Sequence, residues 1–298
     1  MNWALAHRIA SIAAVQAHRD LGIDRTRYVH VHQALGVAGV VGMAQPMPRL
    51  FGVYFSPADQ GPAVLLNASL NAVTQRHTAA HELGHHRLGH RTAADEEINP
   101  ALRWGNGSWP EEEKTAEAFA AWFLMPLPAV RAALDRICDG RPSRPEHVYR
   151  VARELGTSYA GTVRHLVNLR LLDAGRAGQW AKIPPAGLRG SLAGGASLPA
   201  QAQVHVVTAA SEGQTVYADA GDVLVLHLDH HVFDVLPEGL KPWTIDGATP
   251  LASAVVTEEL QPGEQGLVEI AAVPNSHPIR LTVVREAPRA GVYDTWPA

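Results

Sequence analysis

The stretch "TAAHELGHHRLGH", residues 78–90, decides how the rest of the chain is read. On an α-helix, residues four apart lie on one face, one turn apart. His81 and His85 therefore aim imidazole nitrogens at one point, and Glu82 sits beside the first of them. Zinc accepts such nitrogens at about 2.0–2.1 Å and in catalytic sites takes three protein ligands plus a water. Glu82 is placed to act on that water as general base. Gly84 costs a helix about 1 kcal/mol against alanine, and a small residue there lets another element pack close. The pattern fixes only three positions in a chain with 16 histidines, so its neighbours have to carry the decision.

The longer metzincin pattern, H-E-x-x-H-x-x-G-x-x-H, is excluded by counting. Leu88 and Arg91 stand where its glycine and third histidine belong, and Gly89 and His90 are each one place off. That spacing leaves His90 as a solvated, turn or supporting histidine. The third ligand has to come from elsewhere.

The stretch "WPEEEKTAEAFAAWFLMPLPAV", residues 109–130, predicts a helix. Pro110 suits the first turn, the acids at 111–113 suit the positive N-terminal end, and Pro126 ends it. Its apolar stripe runs through Ala116, Phe119, Ala120, Phe123 and Leu124. At 100° per residue Glu113 falls near that stripe and Glu111 well away from it. A carboxylate at a buried edge needs a partner. Spacing alone does not separate Glu113 from Glu117, its neighbour one turn on.

Together the two motifs, "TAAHELGHHRLGH" and "EKTAEAFAAWFLMP", resemble the ImmA/IrrE family of metallo-endopeptidases. The upstream "GVYFSPADQGPAVLLN" is similar to that family's strand pair, and the resemblance runs over residues 25–172 or so. It implies a gluzincin-like zinc peptidase core with zinc held by His81, His85 and Glu113, and with Glu82 as base. It also implies a substrate: a helix-turn-helix transcriptional repressor, cut to induce a stress, prophage or mobile-element response. The alternative is a non-proteolytic, zinc-containing regulator that binds DNA or a partner protein. A purely structural zinc site has no use for Glu82, which argues against that alternative.

Composition organises the remainder. The net charge of −4 hides an asymmetry: residues 200–298 carry 4 Lys+Arg and 13 Asp+Glu, residues 1–199 carry 21 and 16. The expected division is a metallopeptidase domain over 1–130, a helical, helix-turn-helix-like extension over 131–176, a linker over 177–200 and an acidic all-β domain over 201–298. The extension holds nine Arg against five acids. DNA contact through it is open, and a structural helix pair with a solvated basic face is the simpler account. "AGLRGSLAGGASLPA" suggests the linker by its small residues. The strands after Gln203, "WTI" among them, predict a β-sandwich loosely similar to chagasin-type inhibitors, acting as a sensor or partner-binding module. The fold class expected is α+β. A single cysteine excludes an internal disulfide, and "ALGVAGVVGMA" is too short to span a bilayer. The N-terminus lacks the apolar run of a signal peptide, so a cytoplasmic protein without a membrane partner is expected.

Overall fold

The computed structural model describes residues 1–96, 109–228, 231–244, 251–272, 278–286 and 288–293. The fold is mixed α+β, and the chain divides into two compact units, Met1–Val130 with Pro288–Ala298, and Arg131–Ala287. Residues 97–108, between the strand Ala93–Glu96 and the helix Glu111–Leu124, lie outside the described residues. No single helix among the described residues is long and apolar enough to cross a membrane.

In the first unit, α1 (Trp3–Asp20) is capped by Asn2, whose side chain accepts the Leu5 amide at 2.9 Å. It buries a stripe of small residues, Ala6, Ala10, Ala14 and Ala17, ending in His18. Helix α2 (Val31–Val37) leads into β1 (Val41–Gln45), followed by β2 (Leu50–Phe55) and β3 (Ala63–Asn67). Helix α3 (Ala72–Leu88) starts at Asn71, which accepts the Thr74 amide, and stops at Gly89, whose φ of 68° a residue with a side chain rarely adopts. Strand β4 (Ala93–Glu96) and helix α4 (Glu111–Leu124) complete the unit's main elements.

Parallel to β1 runs β3, with β2 antiparallel to β3 and β4 antiparallel to β2. Helix α3 packs on β2 and on α4, and α1 packs on α4. The approach of α3 to α4 depends on Gly84: a Cβ there would stand 3.0 Å from Phe119 Cδ1 and 3.2 Å from the Ala116 Cα. Phe119 and Phe123 are fully buried, each worth about 2–3 kcal/mol of transfer from water.

The C-terminal segment corrects the expected domain plan. Its last described strand, Gly291–Tyr293, pairs antiparallel with β1 and so belongs to the first unit's sheet. Without it β1 would present an open edge, and sheets seldom leave such an edge bare. Buried Gln75 fixes the approach, accepting the Arg289 amide at 2.5 Å and donating to the Arg289 carbonyl at 3.0 Å.

The second unit takes up α5 (Leu127–Cys138) from Arg131 onward, then α6 (Pro145–Glu154), α7 (Tyr159–Asn168), α8 (Ala174–Trp180) and α9 (Pro185–Leu192). The last two occupy much of the span read as a linker. Asp173 caps α8, and Trp180, Leu188 and Leu192 are buried. Small residues dominate the composition there, but two leucines one turn apart behind Pro185 are enough for an anchored helix.

Eight strands follow: β5 (Val204–Val207), β6 (Thr215–Ala218), β7 (Val223–Leu226), β8 (His231–Val235), β9 (Leu240–Pro242), β10 (Ser253–Val256), β11 (Gln265–Ala272) and β12 (Ile279–Arg285). They form two four-stranded sheets, ordered β5-β7-β10-β9 and β6-β12-β11-β8. One apolar cluster draws on both, with Leu224, Leu226 and Val256 from the first and Val268, Ile270 and Leu281 from the second. Strand β9 ends before the "WTI" segment, whose Ile245 lies outside the described residues.

Candidate metal centre

Helix α3 places His81 and His85 on its inner face, each 1% exposed. The first turn of α4 supplies acids facing three ways. Glu111 is exposed and paired with the N-terminal ammonium, Glu112 is exposed, and Glu113 turns inward with a side chain 15% exposed. Ligand atoms of His81, His85 and Glu113 all lie within 4.8 Å of one another. Neither Glu82 nor Glu117 belongs to that group.

The distances test whether a metal ion fits. His81 Nε2 and His85 Nε2 are 3.0 Å apart, His81 Nε2 is 3.1 Å from Glu113 Oε2, and His85 Nε2 is 3.4 Å from Glu113 Oε1. A tetrahedral cation with bonds near 2.0–2.1 Å holds its ligands about 3.3 Å apart. Two imidazole lone pairs at 3.0 Å repel unless a proton or a cation lies between them. The carboxylate on the third side makes a divalent cation the better fit. Burial would raise the Glu113 carboxyl, but its hydrogen bonds to His81 and His85 prevail and hold it well below the usual carboxylate range. Burial also lowers the His85 pKa, favouring the neutral imidazole that can ligate.

The far nitrogens of both histidines are held as well. Glu117 Oε2 lies 3.5 Å from His81 Nδ1 and 3.0 Å from His77 Nε2. Glu117 thus faces the nitrogen that points away from the centre, the usual place for a carboxylate that orients a ligating histidine. His90 does the same for His85, with Nδ1 3.1 Å from His85 Nδ1. His90 Nε2 approaches Thr115 Oγ1 at 3.4 Å, and that hydroxyl reaches the Glu112 carbonyl at 2.9 Å. One set of tautomers satisfies the whole chain. His85 donates from Nδ1 to His90, His90 donates from Nε2 to Thr115, and Thr115 donates to the carbonyl. His85 Nε2 is left with its lone pair toward the centre. His90 is accordingly a half-buried supporting residue, one of the three roles its spacing left open; burial pushes its pKa down to about 4.

Glu82, 1% exposed, is buried against β2, where Gly52 leaves room for its carboxylate. His77 was legible in principle, one turn before His81 on the same face. Thr115 and Gly52 carried no signal, because each acts through a contact between elements distant in sequence. Tyr149 and Tyr159 use their hydroxyls inside the second unit. Tyr149 accepts the Val204 amide at 3.0 Å and Tyr159 donates to the Trp180 carbonyl at 3.0 Å.

Residues 44–165 match the IrrE N-terminal-like domain family, Peptidase_M78. The match runs from β1 into α7 and contains His81, Glu82, His85, Glu113 and Glu117. It agrees with the family resemblance carried by the two motifs. The IrrE N-terminal-like region is of a peptidase family, and a group able to bind a metal lies inside it. No curated protein matches the chain significantly.

Proposed function

We propose that the chain is a zinc-dependent endopeptidase with a gluzincin-like core, and that its substrate is a helix-turn-helix transcriptional repressor. The observation that carries the first part is the convergence of His81, His85 and Glu113 from two helices within a peptidase family, with Glu82 beside the first ligand. Zinc is the metal of choice because two imidazoles and one carboxylate are a donor set it takes in catalytic sites. The repressor, and a stress, prophage or mobile-element response set off by its cleavage, rest on the family resemblance. We place the protein in the cytoplasm, where such a repressor works.

Bound at this centre, zinc would supply Lewis acidity toward the scissile carbonyl and the attacking water. The chain's own residues do the rest. His81 and His85 present Nε2 while Glu117 and His90 hold their rings. Glu113 contributes one negative charge, so the site remains cationic overall once loaded. Glu82 accepts the proton of the attacking water on a carboxylate oxygen and returns it to the leaving amine.

Glu82→Gln tests the reading. It should keep zinc and fold yet lose cleavage of a small helix-turn-helix protein encoded beside this gene, followed by mass spectrometry of the products. Unchanged control of that partner by the variant would favour the non-proteolytic regulator instead.

A further inference from the structure

Inside the second unit, a cleft of about 80 Å³ opens between α5, α6 and the segment from β5 to β6. Arg136, Arg150 and Arg153 line one side, and Thr208, Ser211 and Gln214 the other. The guanidiniums are not equivalent. Arg136 is ion-paired with Glu154. Arg153 donates to the Thr157 carbonyl at 2.5 Å and lies over the Tyr149 ring, 5.6 Å from its centroid. Arg150 makes no hydrogen bond or ion pair among the described residues, and burial, with Arg144 adding repulsion, lowers its pKa. The Nε atoms of Arg136 and Arg153 are buried and lack hydrogen-bond partners there.

A guanidinium taken out of water without a counter-charge is costly, and such groups are normally paired. Three arginines against Glu154 leave two positive charges on the wall. His205, also on the lining, is 3.3 Å from Asp222 and adds no unpaired cation. The opposite wall offers donors: Ser211 Oγ accepts the Thr208 amide at 3.0 Å, so its hydroxyl proton is available to a ligand. The positive charge of the cleft is built by α5 and α6.

We propose that the cleft binds the phosphate group of a small phosphorylated molecule, held by Arg150 and Arg153 and contacted by Ser211. A phosphate monoester carries about −1.5 to −2 at neutral pH and matches the two unbalanced guanidiniums, whereas a carboxylate supplies one charge. At about 80 Å³ the cleft is well below the usual size of a site that encloses a whole small molecule, about 300–1,000 Å³, so it takes the phosphate group and leaves the rest of the molecule outside. The same assignment gives the basic residues of α6 a use other than DNA contact.

Calorimetric titration of the full chain with adenosine monophosphate, at ionic strength held constant with sodium chloride, tests this. The wild type should bind. Arg150→Gln should weaken binding about tenfold or more, the effect of losing one charge-assisted contact. Arg141→Gln, on an exposed arginine outside the cleft lining, should not. Because Arg150 has no hydrogen-bond or ion-pair partner among the described residues, the Arg150→Gln protein should melt no lower than wild type in phosphate-free buffer, so lost binding there is not lost folding. No binding by the wild type at millimolar concentration, or equal affinity in Arg150→Gln, would overturn the proposal. Citrate binding as tightly as adenosine monophosphate would overturn the phosphate assignment.

Discussion

A Cβ on Gly52 of β2 would stand 2.5 Å from Oε1 of Glu82 on α3, so the strand is bare where the helix carries its buried carboxylate. The nearest other atom, Thr78 Cγ2 at 2.6 Å, is also a side-chain atom. Gly52→Ala should therefore be absorbed by movement of Glu82 and Thr78 without loss of the fold. Misplacing a reacting group by about an ångström can cost 100-fold in rate. The expected result is a fall in kcat of roughly that size with zinc content unchanged. Full activity in a folded Gly52→Ala protein would remove Glu82 from the proton-transfer role.

Glu113 and Glu117 separate by the nitrogen each faces. Glu113 lies against the Nε2 atoms, Glu117 against His81 Nδ1. Glu113→Gln should lose the metal under conditions that leave the wild type loaded. Glu117→Gln and His90→Ala should retain it with affinity lowered about 10–100-fold, the usual cost of removing an outer partner. Competition against a chelator of known affinity reads all three. Metal loss confined to Glu117→Gln would transfer the ligand role to that residue.

How much of this was legible beforehand depended on range. His81 and His85 lie one helical turn apart, and helical spacing alone brings them to one face, with Glu82 next to the first of them. The first-turn acids were legible as a set, and the angular step singled out Glu113 from Glu111, but only packing of α4 on α3 distinguishes Glu113 from Glu117. Spacing left the role of His90 open because that role depends on Gly89: the left-handed residue turns the chain back, so a histidine five places beyond His85 still reaches it. The strand Gly291–Tyr293 was unreadable as part of the first unit, since nothing local tells three residues which sheet edge awaits them. Helix α9 was missed because small residues obscure a short apolar stripe.

That terminal strand supplies another prediction. It pairs Gly42 with Tyr293, Met43 with Val292 and Ala44 with Gly291. Ending the chain after Ala290 keeps the Gln75–Arg289 clasp and removes the strand. Each lost backbone hydrogen bond costs about 1 kcal/mol net, so the first unit should lose about 2 kcal/mol and melt roughly 4–8 °C lower. The opened edge of β1 should also raise light scattering on warming. An unchanged melting temperature with no added scattering would show that β1 does not need this partner.

His18 couples the stability of the first unit to pH. Its ring stacks on Phe123 at 4.7 Å between centroids, and Nε2 meets the Phe123 carbonyl at 2.9 Å. The carbonyl contact favours the charged form, but burial outweighs it and pushes the His18 pKa from 6.5 down to about 4. The sign follows from which state binds the proton. Between pH 6.5 and 4 the unfolded chain is protonated at this residue and the folded one is not, so stability falls as pH falls through that window. At about 1.36 kcal/mol per pH unit, one such residue removes about 2–3 kcal/mol by pH 4.5. His18→Gln keeps a donor for the Phe123 carbonyl and does not titrate. Urea unfolding of metal-free protein at pH 7 and pH 4.5 should show the wild type losing that much more stability than the variant. Equal losses in both would mean that His18 is protonated in the folded protein, and would put the acid sensitivity on other buried histidines such as His32, whose pKa burial also lowers.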